Sequence, residues 1–410
     1  MPRRSVTRSR AKSTGTPQPA APAKARPRVG RRRRRWILAG VGGLAVVLVL
    51  VLIGRGMPES PARLRAEAES AARAGDWVTA LRRWRALNAT RAARADTHLG
   101  EARACLAMGR AAQAEQSLRR AVAIDPADPE PWRLLLRILW VEDRPLEAQR
   151  LGWKAQARVL PESRRALLSE LTLALLADLP DERVRTTLRR WIEADAEDVD
   201  ARVALSQRIA AQPLAADPDR ASRLAELEAL LVNHPDHVGV REALVTTLAD
   251  AGEPDRGRAV LEGWPAAHRD ARYWRLLGRW ELEYDHQPER AVAAFRQALA
   301  ELPQDWRSWY RLARALRVLG RDAEARQAAE TVGRIREVLD PRTLGPRLDE
   351  DVNHLDDPAA LRDLAELCDR VGLTKVAEAW RQESRGSPDG AGSSKNRGSP
   401  DGAGSSKNSL

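Results

Sequence analysis

Apolar residues recur every three or four positions along most of the chain after residue 59, and polar or charged residues fill the positions between them. This spacing is typical of amphipathic helices, because one turn of an α-helix takes about 3.6 residues. The helical runs are short, and they end near a glycine or a proline, such as Gly75, Gly109 or Pro126. Glycine can end a helix with a positive φ, and proline cannot continue one. The pattern therefore predicts an all-α fold of short paired helices.

A small residue marks the same position in successive helical pairs. A glycine often stands five positions before it, and an apolar residue stands four positions after it. The marked positions recur at one constant interval in two blocks, Ala80, Ala114 and Ala148 in the first and Gly257, Ala291 and Ala325 in the second. The five glycines at the common offset are Gly75, Gly109, Gly252, Gly320 and Gly372. One pair cannot bury its apolar face alone, so we expect the pairs to stack into an array.

The clearest single unit reads Trp274-x2-Leu277-Gly278-x2-Glu281, followed by Ala291, Phe295, Ala298 and Pro303. This unit resembles the tetratricopeptide repeat, and the resemblance covers residues 59–384 as about eight repeats plus a partial ninth. It implies an all-α, right-handed superhelical solenoid, whose concave side is lined by the first helix of each pair and grips peptides or other proteins. The chain departs from the pattern at Gly152, where a large residue is usual, at Val184 and Arg223, and in residues 333–357, which look like an insertion.

An uncharged run, 36–54, precedes the array. At about 1.5 Å per residue, such a run reaches roughly the hydrocarbon thickness of a bilayer, so we expect a transmembrane helix. Five arginines, 31–35, come directly before it and should stay in the cytoplasm. A cleaved signal peptide and an organelle transit peptide are the alternatives. The length of the run disfavours both, and no A-x-A cleavage motif precedes Arg55.

The positive charge of the chain belongs to its N-terminal arm. The formal net charge is +12, and residues 1–35 hold 13 Lys and Arg with no acid, which leaves 12 − 13 = −1 for residues 36–410. The arm should be disordered, and the body should not be a nucleic-acid-binding domain. At the other end, residues 385–410 contain a Gly/Ser-rich segment, 385–396, that is repeated in tandem as 397–408, and they should form a flexible tail.

Signatures of catalysis and metal binding are missing from the sequence. It has no HExxH, GxSxG or GxxxxGK[ST] motif, and its two cysteines, Cys105 and Cys368, fit best as buried small residues on helices. Asp349, Asp351 and Asn353 imitate the start of a calcium loop without its later ligands. His234 and His237 lie at a repeat turn, where we expect solvated side chains. We therefore expect no enzyme activity, no cofactor and no metal.

Ten residues are candidates for a partner-binding groove, because they fall on the concave face in the family's register. They are Arg133, Arg137 and Trp140 in the third repeat, Arg272, Arg275 and Arg279 in the seventh, and Arg307, Tyr310, Arg314 and Arg317 in the eighth. Arginine makes bidentate hydrogen bonds to carboxylate or phosphate, so this groove would suit an acidic peptide or an anionic polymer. The alternative is that these arginines are solvated and pair with neighbouring acids.

Together these features predict a single-pass protein of a bacterial inner membrane, with a cytoplasmic N-terminus and a periplasmic array. Usage rich in Ala and Arg and poor in Lys indicates a GC-rich bacterial genome. The array would act as a scaffold or chaperone-like adaptor for a protein or peptide partner in envelope assembly. One alternative is a substrate-handling subunit of an envelope polysaccharide enzyme system. Another is a cytosol-facing binder of anionic lipid or nucleic acid through the arm.

Overall fold

The computed structural model describes residues 59–177, 181–210 and 219–385, nearly all of which belong to the unit that begins at Pro61. The predicted arm, the predicted span 36–54 and the predicted tail beyond Arg385 lie outside the described residues. Among the residues described, none of the helices combines the length and the apolarity needed to cross a bilayer. The division of the chain into arm, span, array and tail stays a prediction.

The described residues form nineteen α-helices and no strand, as the apolar spacing predicts. The first nine are α1 Pro61–Arg73, α2 Trp77–Asn88, α3 Ala95–Ala107, α4 Ala111–Ile124, α5 Pro129–Val141, α6 Pro145–Gln156, α7 Arg164–Leu176, α8 Asp181–Ala194 and α9 Val199–Ala210. The other ten are α10 Arg220–Asn233, α11 Val238–Asp250, α12 Pro254–Glu262, α13 Ala271–Glu283, α14 Pro288–Glu301, α15 Trp306–Val318, α16 Asp322–Val338, α17 Pro341–Asn353, α18 Pro358–Arg370 and α19 Thr374–Arg385. Most of them pack against the next helix in the chain, which makes an all-helical solenoid of repeats.

Seven of the described turns between paired helices have a left-handed residue at the same place. All five glycines at the common offset have a positive φ, between 70° and 86°. The other two turns place Asp143 and His286 there, five positions before Ala148 and Ala291, with φ of 52° and 54°. The repeat therefore requires this backbone conformation even where the residue is not glycine.

Small residues in the seam between helices make room for large ones. A Cβ on Gly257 of α12 would lie 2.4 Å from Cζ2 of Trp280 on α13. Gly152 of α6, where the family usually has a large residue, lies against Leu171 of α7, and a Cβ there would be 2.8 Å from the leucine Cδ2. At Gly152 the small residue is therefore on α6, and the large side chain that fills the seam, Leu171, comes from α7.

The pairing of helices changes in the middle of the array, where the sequence spacing is irregular. Helix α7 packs chiefly against α5, α6 and the C-terminal helix α19, whereas α8 pairs with α9. The α8–α9 turn reaches back to the start of α4. There the Asp198 carboxylate accepts a 3.2 Å hydrogen bond from the backbone N–H of Ala112, and Gln113 Nε2 donates to Asp195 at 2.9 Å. The chain therefore makes contacts between repeats that are not neighbours.

The C-terminal helices share one apolar core with the first half of the array. Cys105 and Cys368 are both fully buried in this core, although the first lies on α3 and the second on α18, the last helix but one. Burial raises the pKa of the Cys105 thiol to about 11 and that of Cys368 to about 12. This agrees with the expectation that both act as small apolar residues.

Candidate functional site

The candidate residues on α5 are held by helix α7. Arg133 and Arg137 both bind the buried carboxylate of Glu170, at 3.2 and 2.7 Å, and Trp140 Nε1 donates a 2.7 Å hydrogen bond to the carbonyl oxygen of Ala177. The hydrogen bond to Glu170 raises the pKa of the Arg137 guanidinium. These side chains connect neighbouring repeats, so their charge is already compensated within the protein.

The candidate residues on α13 are compensated in the same way. Arg272 binds Asp270 at 2.7 Å, Arg275 binds the buried Glu242, and Arg279 binds Glu283 at 2.9 Å and Asp250 at 3.4 Å. Burial lowers the pKa of the Arg275 guanidinium, but the carboxylates of Glu242 and Asp305 more than offset this and leave it raised. The arginines of α5 and α13 thus pair with acids inside the protein, and the partner-binding role expected for them stays a prediction.

The candidate residues on α15 differ from the other two sets. Arg314 lies 3.7 Å from Glu283, but Arg307 and Arg317 form no ion pair with any described residue. The Arg307 guanidinium lies over the Trp306 ring, 4.8 Å from its centroid. Tyr310 is 51% exposed. The α15 set therefore combines free positive charge with exposed aromatic surface.

A groove of about 990 Å³ lies beside these residues, between α15, α16 and the start of α17. We call it the α15–α17 groove. Its apolar wall contains Trp306, Tyr310, Ala313 and Val332, and its polar rim contains Arg317, Arg336 and Arg342. The structure thus brings Tyr310 and Arg317 into one groove, with Arg307 over the ring of Trp306 in its wall, and it leaves the α5 and α13 arginines in ion pairs elsewhere.

Reasoning from sequence missed Trp306, Arg336 and Arg342 as groove residues. A usable signal was present, because position 337, one repeat interval after Pro303, carries glutamate instead of proline. Without proline to end it, α16 continues to Val338, and α17 follows within residues 333–357, the segment predicted to be an insertion. The extra helical length adds Arg336 and Glu337 to the groove.

A second group of charged residues lies at the α5–α6 turn, around Arg144. Its guanidinium contacts Glu142 at 2.6 Å, Glu147 at 2.7 Å, Glu115 at 2.9 Å and Asp200 at 3.4 Å. Burial raises the pKa of Glu142 well above its usual value, even with Arg144 beside it. Carboxylate oxygens of Glu115, Glu142 and Asp200 lie within 4.8 Å of one another, as in a metal site. However, the arginine occupies the position of a cation among them, so the group serves as an internal ion network.

The prediction that both turn histidines are solvated is wrong for His237. Its ring accepts a 3.2 Å hydrogen bond from the backbone N–H of Val240 as the cap of α11, and its Nε2 lies 3.3 Å from Asp200. Burial raises the pKa of Asp200, but His237 and Arg144 more than compensate and lower it. His237 is therefore a structural link between repeats, and not a freely solvated turn residue.

Asp349 and Asp351 lie on helix α17, so they do not form a calcium loop.

Residues 71–138, 214–279 and 284–337 match a family model of the tetratricopeptide repeat. In these three stretches the sequence is similar to the tetratricopeptide repeat. The third matched stretch contains α15 and nearly all of α16, which form two sides of the α15–α17 groove. Helices α6 to α9 lie between the first and second stretches.

Among curated proteins, the chain is similar to the cellulose synthase operon protein C of Xanthomonas axonopodis pv. citri (strain 306). The two are 29% identical over 316 residues, which cover 72% of this chain and 19% of that protein. The chain thus spans about a fifth of the length of this relative. The similarity therefore does not assign the activity of that whole protein to this chain.

Two solved structures are examples of the structural likeness. One is a tetratricopeptide repeat protein from Parabacteroides merdae, with a TM-score of 0.31 and 13% identity, covering 62% of this chain and 98% of that one. The other is the human IFIT1 dimer with PPP-AAAA, with a TM-score of 0.36 and 16% identity, covering 71% of this chain and 67% of that one. At these TM-scores the superpositions say nothing about function.

Proposed function

We propose that this protein is a scaffold or adaptor that is anchored in a bacterial inner membrane and binds a protein partner on the periplasmic side. Tetratricopeptide repeats generally bind other proteins without catalysing a reaction, which supports the binding role. The observation that carries the proposal is the α15–α17 groove, where exposed aromatic surface meets arginines that no described acid neutralises. Elsewhere on the candidate helices, internal acids compensate the arginines.

The membrane anchor and its direction are supported by the sequence alone. The uncharged run 36–54 has the length of a bilayer span, and arginines 31–35 before it favour a cytoplasmic N-terminus. Alkaline phosphatase fused after residue 60 should then be active in a bacterial host, because that enzyme folds only outside the cytoplasm. The matched control is the same fusion without residues 36–54, which should be inactive. Activity of a cytoplasmic reporter in its place would instead favour the cytosol-facing binder of lipid or nucleic acid.

Partner binding is tested by site-specific photocrosslinking in the full-length chain. A photoreactive phenylalanine analogue replaces Tyr310 in the groove, and it replaces Val232 of α10 as a control, because that side chain is 80% exposed and lies outside the groove. We expect a discrete protein adduct at position 310 and none at 232, identified by mass spectrometry. Adducts at neither position would contradict the scaffold role.

A second candidate function is support of an envelope polysaccharide system. The similarity to a cellulose synthase operon protein favours it, although that similarity covers only 19% of the relative. The same crosslinking experiment separates the two functions. A glycan synthase or export component in the adduct would support the polysaccharide role, whereas a folding factor or a subunit of another envelope complex would support the general adaptor role.

A further inference from the structure

We propose that the α15–α17 groove binds an acidic peptide segment that carries aromatic or aliphatic side chains. This inference rests on the proposed function, because it names the chemistry of the partner at that site. It depends on three properties of the groove, namely its uncompensated charge, its apolar wall and its position next to helices whose charges are balanced.

The charge of the groove comes from three exposed lining arginines, Arg317, Arg336 and Arg342, and a fourth exposed arginine, Arg307, lies over the ring of Trp306 in its wall. None of them forms an ion pair with a described residue. The two acids at the rim are engaged elsewhere, since Glu337 binds Arg370 at 2.9 Å and the Asp340 carboxylate caps α17 through the backbone N–H of Arg342. With Glu337 paired to Arg370, the three lining arginines outnumber the one remaining lining acid, Asp340, and this positive excess favours an anionic ligand.

The wall of the groove favours a ligand with apolar side chains. Two guanidinium groups lie over the Trp306 ring. The Cζ atoms of Arg307 and Arg336 are 4.8 and 5.1 Å from its centroid. Cation–π attraction favours these positions, and neither guanidinium forms an ion pair with a described residue, so their N–H groups can bind carboxylates. Tyr310 and Val332 line the space beside them, and a Cβ added at Gly333 would meet no atom within 4 Å. This leaves room for a bulky residue of the ligand.

A peptide fits these observations better than a long anionic polymer does. A polymer needs a continuous track of free positive charge. Helix α13 is the first helix of the repeat before α15, and its arginines are neutralised by Asp270, Glu242 and Glu283. Free charge is therefore confined to one groove with an apolar wall. A short segment in which acidic and apolar residues alternate would meet both features, through charge-assisted hydrogen bonds and through burial of apolar surface.

The test uses the purified full-length chain in detergent and fluorescence polarisation. The probe is a labelled decapeptide in which Asp or Glu alternates with Trp or Leu, and the comparison probe has Asn and Gln in place of the acids. We expect the acidic probe to bind at least tenfold more tightly than the neutral one. The double variant Arg317→Glu with Arg336→Glu should weaken its binding at least tenfold. The matched control variant is Arg120→Glu with Arg290→Glu, two exposed arginines on α4 and α14 without ion pairs to described residues, and it should bind as the wild type does.

A second variant blocks the groove without changing its charge. Gly333→Phe adds a ring in the open space and should reduce probe binding, while circular dichroism shows unchanged helicity. Equal binding by the wild type and by both groove variants would overturn the inference. So would equal binding of the neutral probe, or displacement of the acidic probe by polyuronate at a lower concentration than by unlabelled peptide. If the groove variants still give the crosslinked adduct at position 310, the inference fails and the adaptor function stands. If the wild type gives no adduct, the adaptor function itself fails.

Discussion

The indole Nε1 of Trp380 donates a 3.0 Å hydrogen bond to the hydroxyl oxygen of Thr172, and both side chains are fully buried. These residues lie 208 positions apart, on the last helix and on α7 in the middle of the array. The Thr172 hydroxyl donates its own hydrogen to the Leu168 carbonyl at 2.8 Å, so both polar groups are satisfied. Nearby, Arg165 binds Glu383 at 3.2 Å, and the Lys375 ammonium lies 4.2 Å from the Trp153 ring centroid. The last helix is thus fixed to the middle of the chain.

Replacing Thr172 by valine should destabilise the protein. The buried indole N–H then loses its acceptor, which costs about 1–3 kcal/mol of unfolding free energy. The matched control is Thr247→Val, because Thr247 is also buried and donates to its i−4 carbonyl at 2.8 Å, but it accepts no bond from a tryptophan. Urea unfolding measures the difference, and hydrogen exchange should show weaker protection in α19 for Thr172→Val. Equal losses in the two variants would show that the Trp380 bond contributes nothing.

Replacing His286 by glycine should stabilise the protein. His286 has a φ of 54°, in the turn position where five other repeats have glycine. Removing the side chain relieves a left-handed conformation that costs a non-glycine residue about 1 kcal/mol. The reverse change, Gly320→Ala, should destabilise by a similar amount, since its φ is 70° and an added Cβ would touch nothing within 4 Å. Thermal unfolding of the two variants should move in opposite directions, and a shift of both in one direction would contradict this account.

The left-handed turn residue of the seven repeats that have one can be predicted from the sequence, because its conformation depends on that residue alone. A positive φ is a property of one residue, so the glycine offset identifies the conformation, and Asp143 and His286 follow from the constant spacing of the repeats. The contact between Trp380 and Thr172 has no such local signal, since helical periodicity shows only that a face is apolar and not which helix covers it. The α15–α17 groove can be predicted only in part from the sequence. Its arginines on α15 follow from the repeat register, but Arg336 joins them only because α16 continues past the usual end of its repeat.

Replacing Gly257 by alanine should destabilise the α12–α13 seam. The new methyl group would lie 2.4 Å from Cζ2 of Trp280, a ring that is almost fully buried and whose N–H donates to the Pro254 carbonyl at 3.2 Å. Because the ring cannot move without breaking that bond, we expect a loss of about 1–3 kcal/mol, as for other overpacked cores. Gly333→Ala is the control. It lies within α16 in open space, so it should stabilise by about 0.5–1 kcal/mol through helix propensity. A stable Gly257→Ala variant in urea unfolding would mean that the seam is looser than its geometry indicates.

Asp351 should make stability depend on pH in the acidic range. This residue on α17 is 6% exposed, and burial, with the nearby charge of Asp363, raises its pKa from 3.8 to about 6. The folded state then binds the proton more tightly than the unfolded state, so this carboxyl costs stability as the pH rises from about 4 through 6. Asp351→Asn should therefore raise the unfolding free energy at pH 7.5 and leave it nearly unchanged below pH 4. Asp349→Asn, at an exposed position on the same helix, is the control for the loss of a surface carboxylate. Urea unfolding across this pH range decides the matter, because parallel curves for wild type and Asp351→Asn would mean that Asp351 ionises freely in the folded protein.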